Sequence, residues 1–215
     1  MRTVRWMTSG LALVALLPAV GAAQSVRHFN DSWFWGAKFG LMNFATTTSG
    51  AVTAPSVGVD WMITRTRGGL YVSAEQAFFD KTSSVPDNAG NSYEVAIKDM
   101  RRFSVAAVAF PGDFSTIHPY AGVGFSMNLI QNAALAEPVA DPQQATLVES
   151  RVIDQKDRVS FQLIGGTQVQ YKRLSLFGQI SFLPTKSNFL LNDRSAYLLE
   201  TGVRYNFGKS VEKVK

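Results

Sequence analysis

The chain has 215 residues, a formal net charge of +5, 46% hydrophobic residues and no cysteine. Without thiols it can form neither disulfides nor a thiolate metal site, so its stability must come from elsewhere. Its basic residues are scattered through the chain rather than gathered in runs, which argues against a nucleic-acid partner.

Residues 1–23 read as a cleaved signal peptide. Arg2 and Arg5 make the basic start, residues 10–20 the apolar stretch, and Gly21, Ala22 and Ala23 the small-residue cleavage site. The apolar stretch falls short of the ~20 residues of a spanning helix, and Pro18 interrupts it. Cleavage removes two arginines and no acid, lowering the formal charge from +5 to +3. Residues 24–31 then form a short lead containing His28. His28 and His118 stand far apart without acidic partners at ligand spacing, so neither a metal nor another cofactor is expected.

The remainder divides into eight alternating runs: residues 33–44, 55–64, 70–79, 95–110, 119–130, 159–170, 174–183 and 197–207. Side chains alternate across a strand, and each run sorts bulky apolar residues onto one face. The first sets Trp33, Trp35, Ala37, Phe39 and Leu41 against Gly36, Lys38 and Gly40; the second sets Val57, Val59, Trp61 and Ile63 against Ser56, Gly58 and Asp60. In the third, Leu70, Val72, Ala74 and Phe78 oppose Tyr71, Ser73 and Glu75, with Gln76 a misfit on the apolar face. The fourth opposes Phe103, Val105 and Ala107 to Arg102, Ser104 and Ala106, and the fifth Val123, Phe125 and Met127 to Gly122, Gly124 and Ser126. The sixth and seventh continue the pattern with Phe161 and Leu163 against Gln162, and Leu176 and Ile180 against Ser175 and Gln179. The last sets Tyr197, Leu199, Thr201, Val203, Tyr205 and Phe207 against Glu200, Gly202, Arg204 and Asn206.

The runs reach or exceed the ~9–11 residues of a tilted membrane strand, and the connections alternate long and short. The long ones are residues 45–54, 80–94, 131–158 and 184–196. That pattern predicts an all-β, eight-stranded antiparallel up-and-down transmembrane barrel over residues 32–207, with short periplasmic turns and long extracellular loops. Residues 208–215 form a short periplasmic tail.

Lys38, Asp60, Glu75, Arg102, Glu200 and Arg204 all fall on the face with the glycines. A soluble barrel fills its interior with bulk and wets its outside, the reverse arrangement. Three acids and three bases therefore predict a luminal charge network, compensating one another inside a lumen just wide enough for side chains to fill. Aromatics at strand ends predict two interfacial girdles: Trp33, Trp35, Phe110, Tyr120, Tyr171, Tyr205 and Phe207 at one rim, Phe44, Phe78, Phe79, Tyr93, Phe182 and Tyr197 at the other.

These residues resemble the small outer-membrane β-barrels of the OmpA-like and opacity-type group, over residues 31–207. The likeness rests on Trp35-Gly36-Ala37-Lys38-Phe39-Gly40, Pro119-Tyr120-Ala121-Gly122-Val123-Gly124 and the closing Gly202-Val203-Arg204-Tyr205-Asn206-Phe207, in that order. The resemblance implies a place in the cell outer membrane, contact with its lipid, and insertion by the outer-membrane assembly machinery. That machinery recognises a final strand ending in an aromatic, so Tyr205 and Phe207 are the expected assembly signal, although Gly208 to Lys215 continue past it.

The expected role is structural or surface-interactive, not enzymatic, with an extracellular partner met through the loops. The longest loop holds Glu137, Asp141, Glu149, Arg151, Asp154 and Lys156. Three alternatives stay open: a narrow porin-like channel, a lipid-modifying enzyme using His118, and a soluble exported ligand-binding barrel.

Overall fold

The computed structural model describes residues 29–87, 90–112, 116–139, 141–184, 189–191 and 195–210. The signal peptide, His28 and residues 211–215 of the tail lie outside the described residues. Eight strands follow one another: β1 Ser32–Ala45, β2 Ala51–Thr64, β3 Gly68–Pro86, β4 Ser92–Ala109, β5 Ile117–Leu135, β6 Asp157–Tyr171, β7 Leu174–Leu183 and β8 Ala196–Lys209. A helix, α1, Pro142–Gln155, lies between β5 and β6. Each strand pairs antiparallel with the next, and β8 pairs with β1 to close the barrel. Closure leaves no unpaired sheet edge.

The expected facing holds on every strand. Phe39, Phe125 and Leu199 on the outside are 62%, 62% and 63% exposed, while Arg102 and Arg204 inside are 1% and 0% exposed. The barrel is thus apolar outward and charged inward.

The interior is layered rather than uniformly small and polar. At the end carrying α1, Met42, Phe44, Phe79, Ile97, Met100 and Leu198 build one apolar layer. At the end carrying the termini, Phe29, Phe34, Met62, Val108, Phe110 and Tyr120 build another. Phe44, Phe79, Phe110 and Tyr120, expected in the girdles, are therefore inside. Their strand parity decides it: Tyr120 precedes outward Ala121, and Phe44 is an even position on a strand whose outward residues are odd. Trp33, Trp35 and Trp61 do cluster on the outside, with Trp33 and Trp35 at 5.6 and 6.2 Å from the Trp61 ring. Phe182 and Tyr197 pair outward near the opposite end, 5.0 Å apart.

The connections differ from expectation at the α1 end. Residues 80–94, read as a long loop, continue β3 and β4 as a hairpin, closed by a turn in which Asp87 N donates to Asn91 O at 2.8 Å. Its residues are polar outward yet bury Ser83, Val85, Val95 and Ile97 inward, so the sheet persists where its outer face turns polar. Residues 46–50 and 87–91 are each shorter than the 110–116 turn at the other end. The asymmetry of the barrel lies in strand extension for β3 and β4, and in connection length for residues 136–156 and 184–195, against 65–67 and 172–173 at the other end.

Residues 131–158, also read as loop, contain α1. Asp141 caps it by accepting from Gln143 N at 2.9 Å, with Pro142 in the first turn. Val148 and Val152, four apart on one face, turn inward and are buried, and Val152 joins the apolar layer over the barrel mouth. The half-buried Tyr93 phenol donates to Gln144 Oε1 at 3.2 Å on this helix. Desolvation first, and then the Asp87 carboxylate, raise its pKa above the usual tyrosine value.

Candidate functional site

Between the two apolar layers all six expected ionisable residues meet, although they come from five strands. Lys38 on β1 places its ammonium 2.6 Å from Glu75 Oε2 on β3 and 2.5 Å from Glu200 Oε1 on β8. Arg102 on β4 bridges the same two acids, pairing with Glu75 Oε1 and lying 3.6 Å from Glu200 Oε1. Glu75 and Arg102 are also directly opposite in the β3–β4 register. These four form a quartet with two charges of each sign.

Arg204 and Asp60 form the second cluster. Arg204 donates from Nε to Asp60 Oδ1 at 3.0 Å and from Nη2 to Oδ2 at 2.9 Å, a two-pronged pair. Its Nη1 donates to Gln168 Oε1 at 2.8 Å, and its guanidinium lies 3.7 Å from the centroid of the Phe177 ring. A buried arginine needs this many partners, because its desolvation cost falls only when each donor is met.

Gln179 joins the clusters. Its Oε1 accepts from Arg204 Nη2 at 3.3 Å and from the Tyr120 hydroxyl at 2.7 Å, while its Nε2 donates to Glu200 Oε2 at 2.8 Å and to the Tyr71 hydroxyl at 3.0 Å. Tyr71 accepts from Lys38 Nζ at 3.2 Å as well. With Tyr120 on β5 and Gln168 on β6, every strand contributes to one polar net. Sequence reading missed Tyr71, Tyr120, Gln168 and Gln179 as members. Their inward parity was visible, but their partners lie across the barrel and far along the chain.

Space for this net comes from glycine. Gly36 lies opposite Asp60 on one side and Arg204 on the other, and a Cβ there would fall 2.5 Å from Asp60 Oδ1 and 2.7 Å from Arg204 Cγ. Elsewhere the layer is less tightly tied. Ser73, Ser104 and Gln162 are buried on β3, β4 and β6, and Arg102 Nε and Nη1 make no hydrogen bond among the described residues.

The other candidates sit apart. His118 is buried at the termini end, its ring stacked 3.9 Å from Phe29 at 8°, within an aromatic cluster. Among the described residues no group of three His, Cys, Asp or Glu could hold a metal ion. Glu137 and Asp141 line an open cavity of about 570 Å³ beside α1, with Tyr93, Glu94 and Gln144. Glu149 and Asp154 are exposed on α1, and Arg151 donates to Pro86 O. Tyr205 and Phe207 are outward at the termini end of β8, with ring centroids 4.9 Å apart.

No family model matches the chain, and no curated protein matches it in sequence. Solved structures do match in shape. Neisserial surface protein A superposes with a TM-score of 0.53 at 13% identity, covering 81% of this chain and 97% of that one. The outer membrane protein OprG from Pseudomonas aeruginosa gives 0.53 at 10% identity, covering 87% and 100%. The fold is that of the small eight-stranded outer-membrane barrels. At such identities the likeness extends to the fold, and the inside-out chemistry of the barrel has to carry the rest.

Proposed function

We propose that the chain is an outer-membrane barrel with a sealed lumen, seated with α1 outside and the termini in the periplasm, acting through its exposed α1 end rather than by conduction. One observation carries this reading: six paired ionisable side chains are enclosed in the barrel while large apolar residues cover its exterior. Water would reverse that arrangement; lipid stabilises it. Eight strands leave little interior, and here it holds a charge layer between two apolar layers. The α1 end, with Glu137, Asp141, Glu149 and Asp154 on its surface, is the face left for an extracellular partner.

The test is fractionation with gel migration. The protein should enter the outer-membrane fraction and run faster unheated than boiled; recovery as a soluble periplasmic species would refute the reading. In planar bilayers the expected result is no conductance above the bare membrane, and a persistent channel would support a pore instead. Tyr205 and Phe207 belong to the same proposal as the assembly signal. Phe207→Ala should lower membrane insertion in cells while leaving refolding of purified protein into detergent unchanged. Because β8 runs to Lys209 and Ser210 N donates to Asp31 O at 2.7 Å, the removable tail is residues 211–215, whose deletion should leave assembly intact.

A further inference from the structure

The outer wall of the barrel has a polar notch. Gln76 interrupts the apolar outer face of β3, and directly opposite it on β4 stands Arg101, exposed, donating from Nε to Gln76 Oε1 at 3.3 Å. Phe78 and Phe103 flank them, 46% and 47% exposed. Arg101 lies roughly 20 Å up the wall from Ala109, at ~3.3 Å per residue and a tilt of ~40°. That is the α1-side edge of the apolar band, a level where a long cationic side chain can lift its charge toward headgroups.

A bulge adds a second cation. Between the pairs Ala77–Met100 and Asp80–Lys98, Phe78 and Phe79 face the single residue Asp99, whose φ is +53°. Regular alternation would put Lys98 on the inner side with Met100. The extra residue shifts the phase, so Ile97 is buried and Lys98 is exposed on the same outer wall as Arg101. The Asp99 carboxylate is engaged by the backbone, accepting from Phe79 N at 3.2 Å. Asp80 reaches Lys98 only at 4.0 Å, with both side chains more than half exposed. Two cations and an amide thus line a lipid-facing edge where one weakly paired acid opposes them.

We propose that Arg101, Lys98 and Gln76 hold the phosphate of an outer-leaflet phosphoglycolipid against the barrel wall, its acyl chains lying along Phe103 and the apolar face below. The inference rests on the outer-membrane reading above. Charge complementarity sets the phosphate, and position at the α1 end sets the leaflet. The amide and guanidinium side by side suit phosphate oxygens, which accept several hydrogen bonds at once.

The experiment uses the refolded full barrel in detergent, with native mass spectrometry counting retained lipid. Bis-phosphorylated lipid A, dephosphorylated lipid A and phosphatidylglycerol are the probes. Wild type should retain the bis-phosphorylated form about tenfold more than either other lipid. Arg101→Leu with Lys98→Gln should abolish that preference, and Arg101→Lys should keep most of it. Equal retention of the two lipid A forms, or an unchanged preference in the double variant, would overturn the proposal. Equal retention of phosphatidylglycerol would overturn the assignment to a glycolipid. Heat-modifiable migration of each variant separates the two readings: a folded barrel without phosphate preference sinks only this inference, whereas failure of wild type to fold in any amphiphile sinks the membrane reading.

Discussion

The two halves of the charge layer solve the same problem to different degrees. Around Arg204 each guanidinium nitrogen has a donor role, a ring stacks on its face, and Asp60 is held at two points. Around Arg102 one nitrogen is shared between Glu75 and Glu200, and the hydroxyls of Ser73 and Ser104 beside it make no hydrogen bond among the described residues. A saturated pair is rigid and has no second arrangement. The quartet has redundancy, since either acid can reach both cations, and it tolerates change better.

Breaking the saturated side should cost most. Arg204→Met leaves the Asp60 carboxylate buried without its partner, at a cost of about 3–5 kcal/mol. Urea unfolding of the refolded barrel, followed by tryptophan fluorescence, measures it, and Asp60→Leu in the same chain should restore most of the loss. Glu75→Gln should cost less, about 1.5–3 kcal/mol, because Glu200 still contacts Lys38 and Arg102. A loss in Glu75→Gln equal to that in Arg204→Met would erase the distinction. Gly36→Ala sharpens it on the saturated side: a methyl against Asp60 and Arg204 should destabilise by about 1–3 kcal/mol in the same assay. Smallest is Ser104→Ala, where no hydrogen bond is lost; its unfolding free energy should stay within about 0.5 kcal/mol of wild type.

Much of this was legible in advance. Period-two sorting assigns every strand's facing correctly, because the inward charge layer and the apolar outer face differ in residue chemistry. The charge layer follows from the same parity. Pairings such as Asp60 with Arg204 are not readable, since register and stagger around a closed sheet decide which side chains meet. Strand ends at Pro86, Ser92 and Leu135 were lost where the outer face turns polar, the usual sign of a loop. The helix was missed although Asp141-Pro142 is a start signal and Val148 and Val152 share a face. The aromatics Phe110 and Tyr120 were misplaced by position along the strand, when parity alone already turned them inward.

The closing seam between β1 and β8 has a consequence for the order of assembly. Lys38 and Glu200 are 162 residues apart in the chain, and Asp60 and Arg204 are 144 apart. Contacts of such span form late, because the ends of the longest loops must first be brought together. Until β8 docks on β1, Asp60 lacks Arg204, and Lys38 and Arg102 share Glu75 alone; docking brings Glu200 and Arg204 and completes both clusters together. The interior salt links thereby act as a latch on completion, since a half-closed barrel keeps the Asp60 carboxylate unpaired and the Lys38–Arg102 pair short of one acid.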